Sequence, residues 1–138
     1  MADASTIPTE RELQALKILW ERGEATVRDV CDSLAQRGDS LAYTTILSLM
    51  QTMEQKGLVG HKADGKTYSY FPKVRRDSTF RSLARGFLDG VFDGAMDEYL
   101  LHALQTRKLS ADEIARLETL IDQAKEQSRR KGSKGASP

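Results

Sequence analysis

Between Thr44 and Thr52 the side chains able to exchange hydrogen bonds fall into one row. Thr45, Ser48 and Thr52 stand at i, i+3 and i+7, with Thr44 and Gln51 beside them. At helical pitch this spacing puts them on one face. Hydroxyls and amides both donate and accept, and they are short enough to lie against a flat edge. A helix in the DNA major groove needs those properties, because base edges there present donors, acceptors and the thymine methyl group, which a Thr methyl can touch. An ordinary exposed helix face carries Glu, Lys and Arg, whereas Ser and Thr weaken the helix. Something other than solubility has selected the row.

Other chemistries find little support. The sequence has no Gly-rich phosphate loop, no His-Glu-x-x-His, no Cys-x-x-Cys and no Gly-x-Ser-x-Gly, the patterns that would announce nucleotide, metal or acyl chemistry. Cys31 is the only cysteine and His61 and His102 are the only histidines, so an intrachain disulfide is excluded and a cysteine-based metal site has one thiolate to draw on. Cys31 falls in the apolar row Val27, Val30, Cys31, Leu34 and reads as core. The pairs Asp97-Glu98 and Asp112-Glu113 stand at helix starts, where the macrodipole accounts for them. No enzyme, metal or cofactor is expected. A ligand among Phe87, Phe92, Met96 and Tyr99 is a further reading, with core packing the favoured one.

The 138 residues make one domain or two small ones, and an apolar fraction of 39% with 30% charged residues is that of a chain that folds. The start "MADASTIPTE" lacks a basic, apolar leader and no run approaches a membrane span, so a cytoplasmic protein without membrane insertion is expected. The net charge of +1 conceals segregation: residues 1–39 carry five basic and eight acidic side chains, 40–76 six and two, 77–127 six and ten, 128–138 four and none. Positive charge gathers on the segment holding the hydroxyl row and on the tail, where a polyanion would be held.

The elements that must position the row follow from the periodicity. Thr9 with Glu12 reads as a capping box for a helix over about 10–22, with Leu13, Leu16, Leu19 and Trp20 inward and Gly23 as its stop. Thr26 caps a second helix ending near Gly38. A third, over about 43–56, turns Ile46, Leu49, Met50 and Met53 inward and leaves the hydroxyl row outside. From Leu58 to Phe71 the period becomes two, and Asp64-Gly65 fits a tight hairpin turn. Three helices and a hairpin make a winged helix-turn-helix. Lys62 and Lys66 flank the turn and Arg75 follows it, all placed for phosphates. The fold class is therefore mainly α with a small β-hairpin, residues 1–76 forming the winged domain.

Residues 77–127 form a second, helical domain, and 128–138 a disordered basic tail. Phe80, Leu83, Phe87, Leu88, Val91 and Phe92 keep helical spacing as far as Ala95. A further helix carries Met96, Tyr99, Leu100 and Leu104, and a capping box at Ser110 and Glu113 opens a last one with Leu117 and Ile121. So small a fragment cannot enclose three apolar stripes, so pairing with a second copy is expected and these residues are its interface. Gly86, Gly90 and Gly94 mark either close helix approach or bends.

Two functions remain: a DNA-binding regulator, or a winged-helix adaptor that docks a protein on the hydroxyl face. The stretches "AYTTILSLMQTMEQKGLV" and "HKADGKTYSYFPKV" resemble the penicillinase-repressor (BlaI/MecI/CopY) family in the Thr-Thr pair, the Lys-Gly-Leu-Val exit and the Gly-Lys-x-Tyr-x-Tyr-x-Pro wing. "ELQALKILWERGEATVRDV" and "LSADEIARLETLID" extend the likeness over about 9–124. The resemblance implies a homodimeric repressor on double-stranded DNA with an inverted repeat, its C-terminal helices joining the copies. Many relatives carry Arg where this chain has Thr52, which alters the expected operator preference. Antibiotic-responsive members are cut at an Asn-Phe bond on the signal of a membrane sensor, and the matching position here is His102-Ala103. That departure counts against induced proteolysis, while a membrane sensor or protease is a partner the resemblance leaves open. The Cys-x-Cys arrangement of copper-responsive members is missing.

Overall fold

The computed structural model describes residues 7–136, without the side chains of 64 and 133–136. Residues 1–6, within the expected 1–76 segment, and 137–138, at the end of the expected tail, lie outside the described residues. In order come α1 (Glu10–Arg22), β1 (Ala25–Thr26), α2 (Val27–Gln36), α3 (Tyr43–Gln55), β2 (Val59–Asp64), β3 (Thr67–Pro72), α4 (Arg76–Phe92), α5 (Met96–Gln105) and α6 (Ala111–Ala136).

The helix starts follow the local chemistry. The Thr9 hydroxyl accepts from the Glu12 amide at 3.2 Å while the Glu12 carboxylate accepts from the Thr9 amide at 2.8 Å, and the Gly23 amide closes α1 on the Leu19 carbonyl at 2.7 Å. Thr26 caps α2 as expected, and Asp29 completes a second reciprocal box at 3.1 Å in both directions. The Asp29 carboxyl is held below its ordinary range by the Thr26 amide, with help from the Thr26 hydroxyl and Arg22 against its partial desolvation.

The sheet corrects the expectation of a hairpin alone. β1 pairs antiparallel with β3, so the order is β1-β3-β2. Ala25 lies opposite Tyr70 and Thr26 opposite Ser69, while on the other side Tyr70 faces His61, Tyr68 faces Ala63 and Pro72 faces Val59. Two residues are too few to display alternation, which is why β1 leaves no mark in the sequence. It supplies the third strand that an isolated hairpin lacks. The turn is also displaced by one residue. Asp64 pairs with Thr67 as the last residue of β2, and the two-residue loop is Gly65-Lys66, with Gly65 at φ 67° taking the left-handed position. Gly60 permits close packing across the hairpin, because a Cβ there would lie 2.7 Å from Phe71 Cζ.

Ala15, Leu16, Ile18 and Leu19 of α1 meet Val30 and Leu34 of α2, Ile46, Met50 and Met53 of α3, and Leu58, Val59 and Tyr70 in one core. Each large apolar side chain buried there contributes roughly 1.5–3 kcal/mol. Cys31 is buried with them, and burial pushes its thiol pKa up. Leu13 and Trp20, expected inward, are half-buried at the edge. Trp20 instead fastens the start of α4 to α1, since its indole N–H donates to the Val74 carbonyl at 3.0 Å and its ring meets Phe80 edge-on at 5.8 Å.

The chain divides into two compact units after Gly90, beyond the boundary at 76/77 read from the sequence. Residue 76 is where α4 begins, and its first turns stay with the winged unit because Trp20 grips Val74 and Phe80. α4 stops at Phe92, short of Ala95, because Asp93 (φ 53°) and Gly94 (φ 82°) turn left-handed; Gly94 thus ends a helix, while Gly86 and Gly90 face open space. In the second unit Phe92 contacts Tyr99 at 5.5 Å and stacks on His102 at 5.8 Å. Ser110 and Glu113 form the expected box at 3.2 and 3.3 Å. The Arg107 guanidinium, 2.9 Å from the Glu113 carboxylate, is the main reason that this carboxyl falls to about 2.

The disordered tail is corrected too. α6 runs to Ala136, since Arg129, Arg130 and Lys131 are good helix formers and Arg129 pairs with Glu126 at 3.3 Å one turn back. Among the described residues no helix is long and apolar enough to cross a membrane.

Candidate nucleic-acid interface

α3 is seated by Ile46, Met50 and Met53, which are fully buried, with Leu47 and Leu49 half-buried at its flanks. Thr44, Thr45, Ser48, Gln51 and Thr52 are all exposed. The hydroxyl row is thus an outer ridge of the winged unit. The N-terminus of α3 is also unlike those of α1 and α2: Ala42 offers no side-chain cap and the first turn has no acidic residue. Nothing negative from the helix itself stands at its positive end, where first-turn amides favour an anion.

The cations expected beside the ridge differ in their readiness. Lys66 sits in the wing loop and Arg75 at the entry to α4; both are exposed and make no ion pair among the described residues. The Arg75 backbone is fixed by its carbonyl, which accepts from the Thr79 amide at 3.0 Å and the Thr79 hydroxyl at 2.7 Å. Lys62 is exposed but lies 2.7 Å from the Glu24 carboxylate. Such a surface pair is weak, and a phosphate reaching Lys62 has Glu24 as competitor.

The far end of α3 is tied on two sides by contacts not foreseen from the sequence. Lys56, its C-cap, donates to Glu12 at 2.6 Å, joining it to the capping box of α1. Burial raises the Glu12 pKa, but Lys56 and the Thr9 amide outweigh it, and the carboxyl lies below its ordinary value. Opposite, the His61 ring in β2 approaches both oxygens of Glu54, at 2.8 and 2.6 Å. A signal for this second tie is present: Glu54 is the one charge within α3 and stands in the last turn, where the dipole disfavours it.

Between this flank of α3 and the wing lies a cleft of about 490 Å³ lined by Arg28, Tyr43, Gln51, Glu54, His61, Lys66 and Tyr68, among others. The Arg28 guanidinium sits 4.9 Å above the Tyr43 ring. Gln51 therefore borders both the ridge and the cleft. Among the described residues no group of three or more His, Cys, Asp or Glu is arranged to hold a metal ion.

The residues expected to pair two copies are scattered over both units. In α4, Phe80, Leu83 and Leu88 are half-buried and Phe87 is exposed. In the second unit Phe92, Tyr99 and Leu117 are half-buried, while Val91 (58%), Met96, Leu100, Leu104 and Ile121 are exposed. Leu101, Ile114 and Leu120 (58%), which are not among the residues expected to pair, are exposed as well. His102 is exposed on α5, stacked on Phe92.

The family model for the penicillinase repressor matches residues 8–123. The chain is similar to a penicillinase repressor of Bacillus licheniformis, 21% identical over 117 residues that cover 85% of this chain and 91% of the relative. It is also similar to the transcriptional regulator BlaI of Mycobacterium tuberculosis, 35% identical over 97 residues covering 69% of this chain and 68% of the relative. Among solved structures, the DNA-binding domain of the repressor BlaI aligns with a TM-score of 0.47 at 19% identity, over 54% of this chain and 90% of that one.

Proposed function

The chain belongs to the penicillinase repressor family, and from that premise we propose a repressor that acts in the cytoplasm as a homodimer, blocking a promoter by occupying an operator with two-fold symmetry. The family is one of transcriptional regulators and not of enzymes. The observation that carries the reading is the ridge on α3: Thr44, Thr45, Ser48, Gln51 and Thr52 are exposed together while the opposite face is sealed in the core. In this reading the ridge lies against base edges in the major groove, and Lys66 and Arg75, with Lys62 once released from Glu24, neutralise phosphates. Two copies joined through Met96, Leu100, Leu104 and Ile121 present two ridges, so the operator is an inverted repeat whose half-sites are spaced by about one helical turn, ~34 Å, or multiples of it.

A titration of duplex fragments at two salt concentrations tests the reading. Saturable, salt-sensitive binding is expected; a protein-docking adaptor gives none. Two kinds of variant then separate the roles. Ser48→Ala and Thr52→Ala are expected to change sequence preference, by ~1–3 kcal/mol where a good base contact is lost, whereas Lys66→Ala weakens every site and lowers the salt slope by ~1. Equal behaviour of the two kinds of variant contradicts the assignment.

A further inference from the structure

Glu54 is a poor choice for its position on two counts. A carboxylate in the last turn of a helix opposes the negative end of the dipole, and on a helix read as facing DNA it repels the phosphates. The compensating contact is His61. A carboxylate only accepts, so the imidazole Nδ1 carries the proton and donates it to Glu54, 2.6 Å from Oε2 and 2.8 Å from Oε1. The ring also packs on the wing, with Tyr68 and Tyr70 at centroid distances of 4.7 and 5.8 Å. Tyr70 is buried at the centre of the sheet, opposite His61 on one side and Ala25 on the other. The same ladder leads along β3 to the Gly65-Lys66 loop. Arg28 and Lys66 are the cations that share the cleft with this pair, along with Tyr43.

We propose that Glu54 and His61 are positioning residues for DNA binding, a latch that fixes the angle of the wing against α3. With it closed, Lys66 reaches the sugar-phosphate strand while Thr45, Ser48 and Thr52 lie against the bases. Neither latch residue needs to touch DNA. The inference rests on the DNA-binding reading above.

The test is a set of full-length variants, E54A, E54Q, H61A, H61N and the double variant E54A/H61A, titrated with one duplex across a salt series. On charge grounds alone, removing a carboxylate beside a polyanion tightens binding. The latch predicts the reverse for E54A, about fivefold weaker than the unaltered protein, with H61A similar and the double variant within about twofold of either single one, because one contact is lost once. E54Q keeps an acceptor and sheds the charge, so it binds at least as tightly as the unaltered protein. H61N returns an N–H donor near the place of Nδ1 and is expected to recover binding to within about twofold. Thermal unfolding of the same variants separates loss of positioning from loss of fold, and E54Q and H61N supply the contrast even if a truncated variant is unstable. E54A binding as tightly as the unaltered protein, or losses that multiply in the double variant, overturns the latch alone. Absence of any saturable shift by the unaltered protein overturns the DNA reading and the latch with it.

Discussion

Up to Gly90 the chain closes around Leu16, Leu19, Ile46 and Met53, none of which keeps accessible surface, whereas α5 has no buried residue and leaves Met96, Leu101 and Leu104 about half exposed. Similar apolar residues thus meet different fates. In the winged unit α1, α2, α3 and the sheet wrap round one another, so most of its apolar surface is consumed within the chain, with Tyr43, Tyr68 and Phe87 left exposed. Apolar side chains left in water beyond Val91 retain a driving force of about 25 cal/mol per Å² toward any matching surface. The first unit is accordingly held together within the chain, whereas the second is proposed to gain stability from a second copy, so that its unfolding is predicted to depend on concentration.

The largest expected effect lies in the first unit. Leu19→Ala removes a fully buried side chain and is predicted to destabilise it by about 2–5 kcal/mol, without dependence on protein concentration, as measured by urea unfolding followed through Trp20. A midpoint that moves with concentration breaks the comparison. Lys56→Met comes next. It strands the buried Glu12 carboxylate at a predicted loss of about 1–3 kcal/mol at neutral pH. The pH dependence has a definite sign, because the folded-state pKa of Glu12 is depressed below its ordinary 4.5. Its stabilising contribution is present above that value and is lost as pH falls through the lower folded value. The gap between variant and unaltered protein is therefore expected to narrow in acid, and a gap that widens there contradicts the role given to the pair.

In the second unit, Leu104→Glu places a charge on the exposed apolar face. It is predicted to weaken pairing about tenfold or more, roughly 1.4 kcal/mol, seen as a shift toward monomer in sedimentation, while the winged unit unfolds as before. Loss of winged-unit stability instead would show that this face packs within the chain. The smallest effect is expected for Lys62→Ala. The Lys62–Glu24 pair is exposed on both sides, so thermal unfolding moves by less than about 1 kcal/mol.

Much of the winged unit is legible in the sequence because its signals are local. A capping box at Thr9 and Glu12 reads in four residues, and the change of period from 3.6 to 2 near Leu58 separates α3 from the wing. The outward ridge is legible for the same reason, since the spacing of Thr45, Ser48 and Thr52 fixes their shared face once Ile46 and Met50 are inside. What escapes a sequence reading depends on contacts distant along the chain. β1 has only two residues and is defined by Tyr70 and Ser69, and the tie of Lys56 to Glu12 joins residues 44 apart that no local pattern relates. The tie of His61 to Glu54 spans only seven residues and is marked in the sequence by nothing but the misplaced charge of Glu54. The tail misleads because its composition outweighs its helix propensity: its glycines and serines suggest a coil, yet Arg129, Arg130 and Lys131 extend α6.

Footprinting of a duplex selected from a random pool is the most direct test of the claim that two α3 ridges read DNA. The account predicts two protected patches of equal sequence and opposite orientation, centred about one helical turn or a multiple of it apart, ~34 Å per turn. Uniform protection that ignores sequence, or none at all, would contradict it.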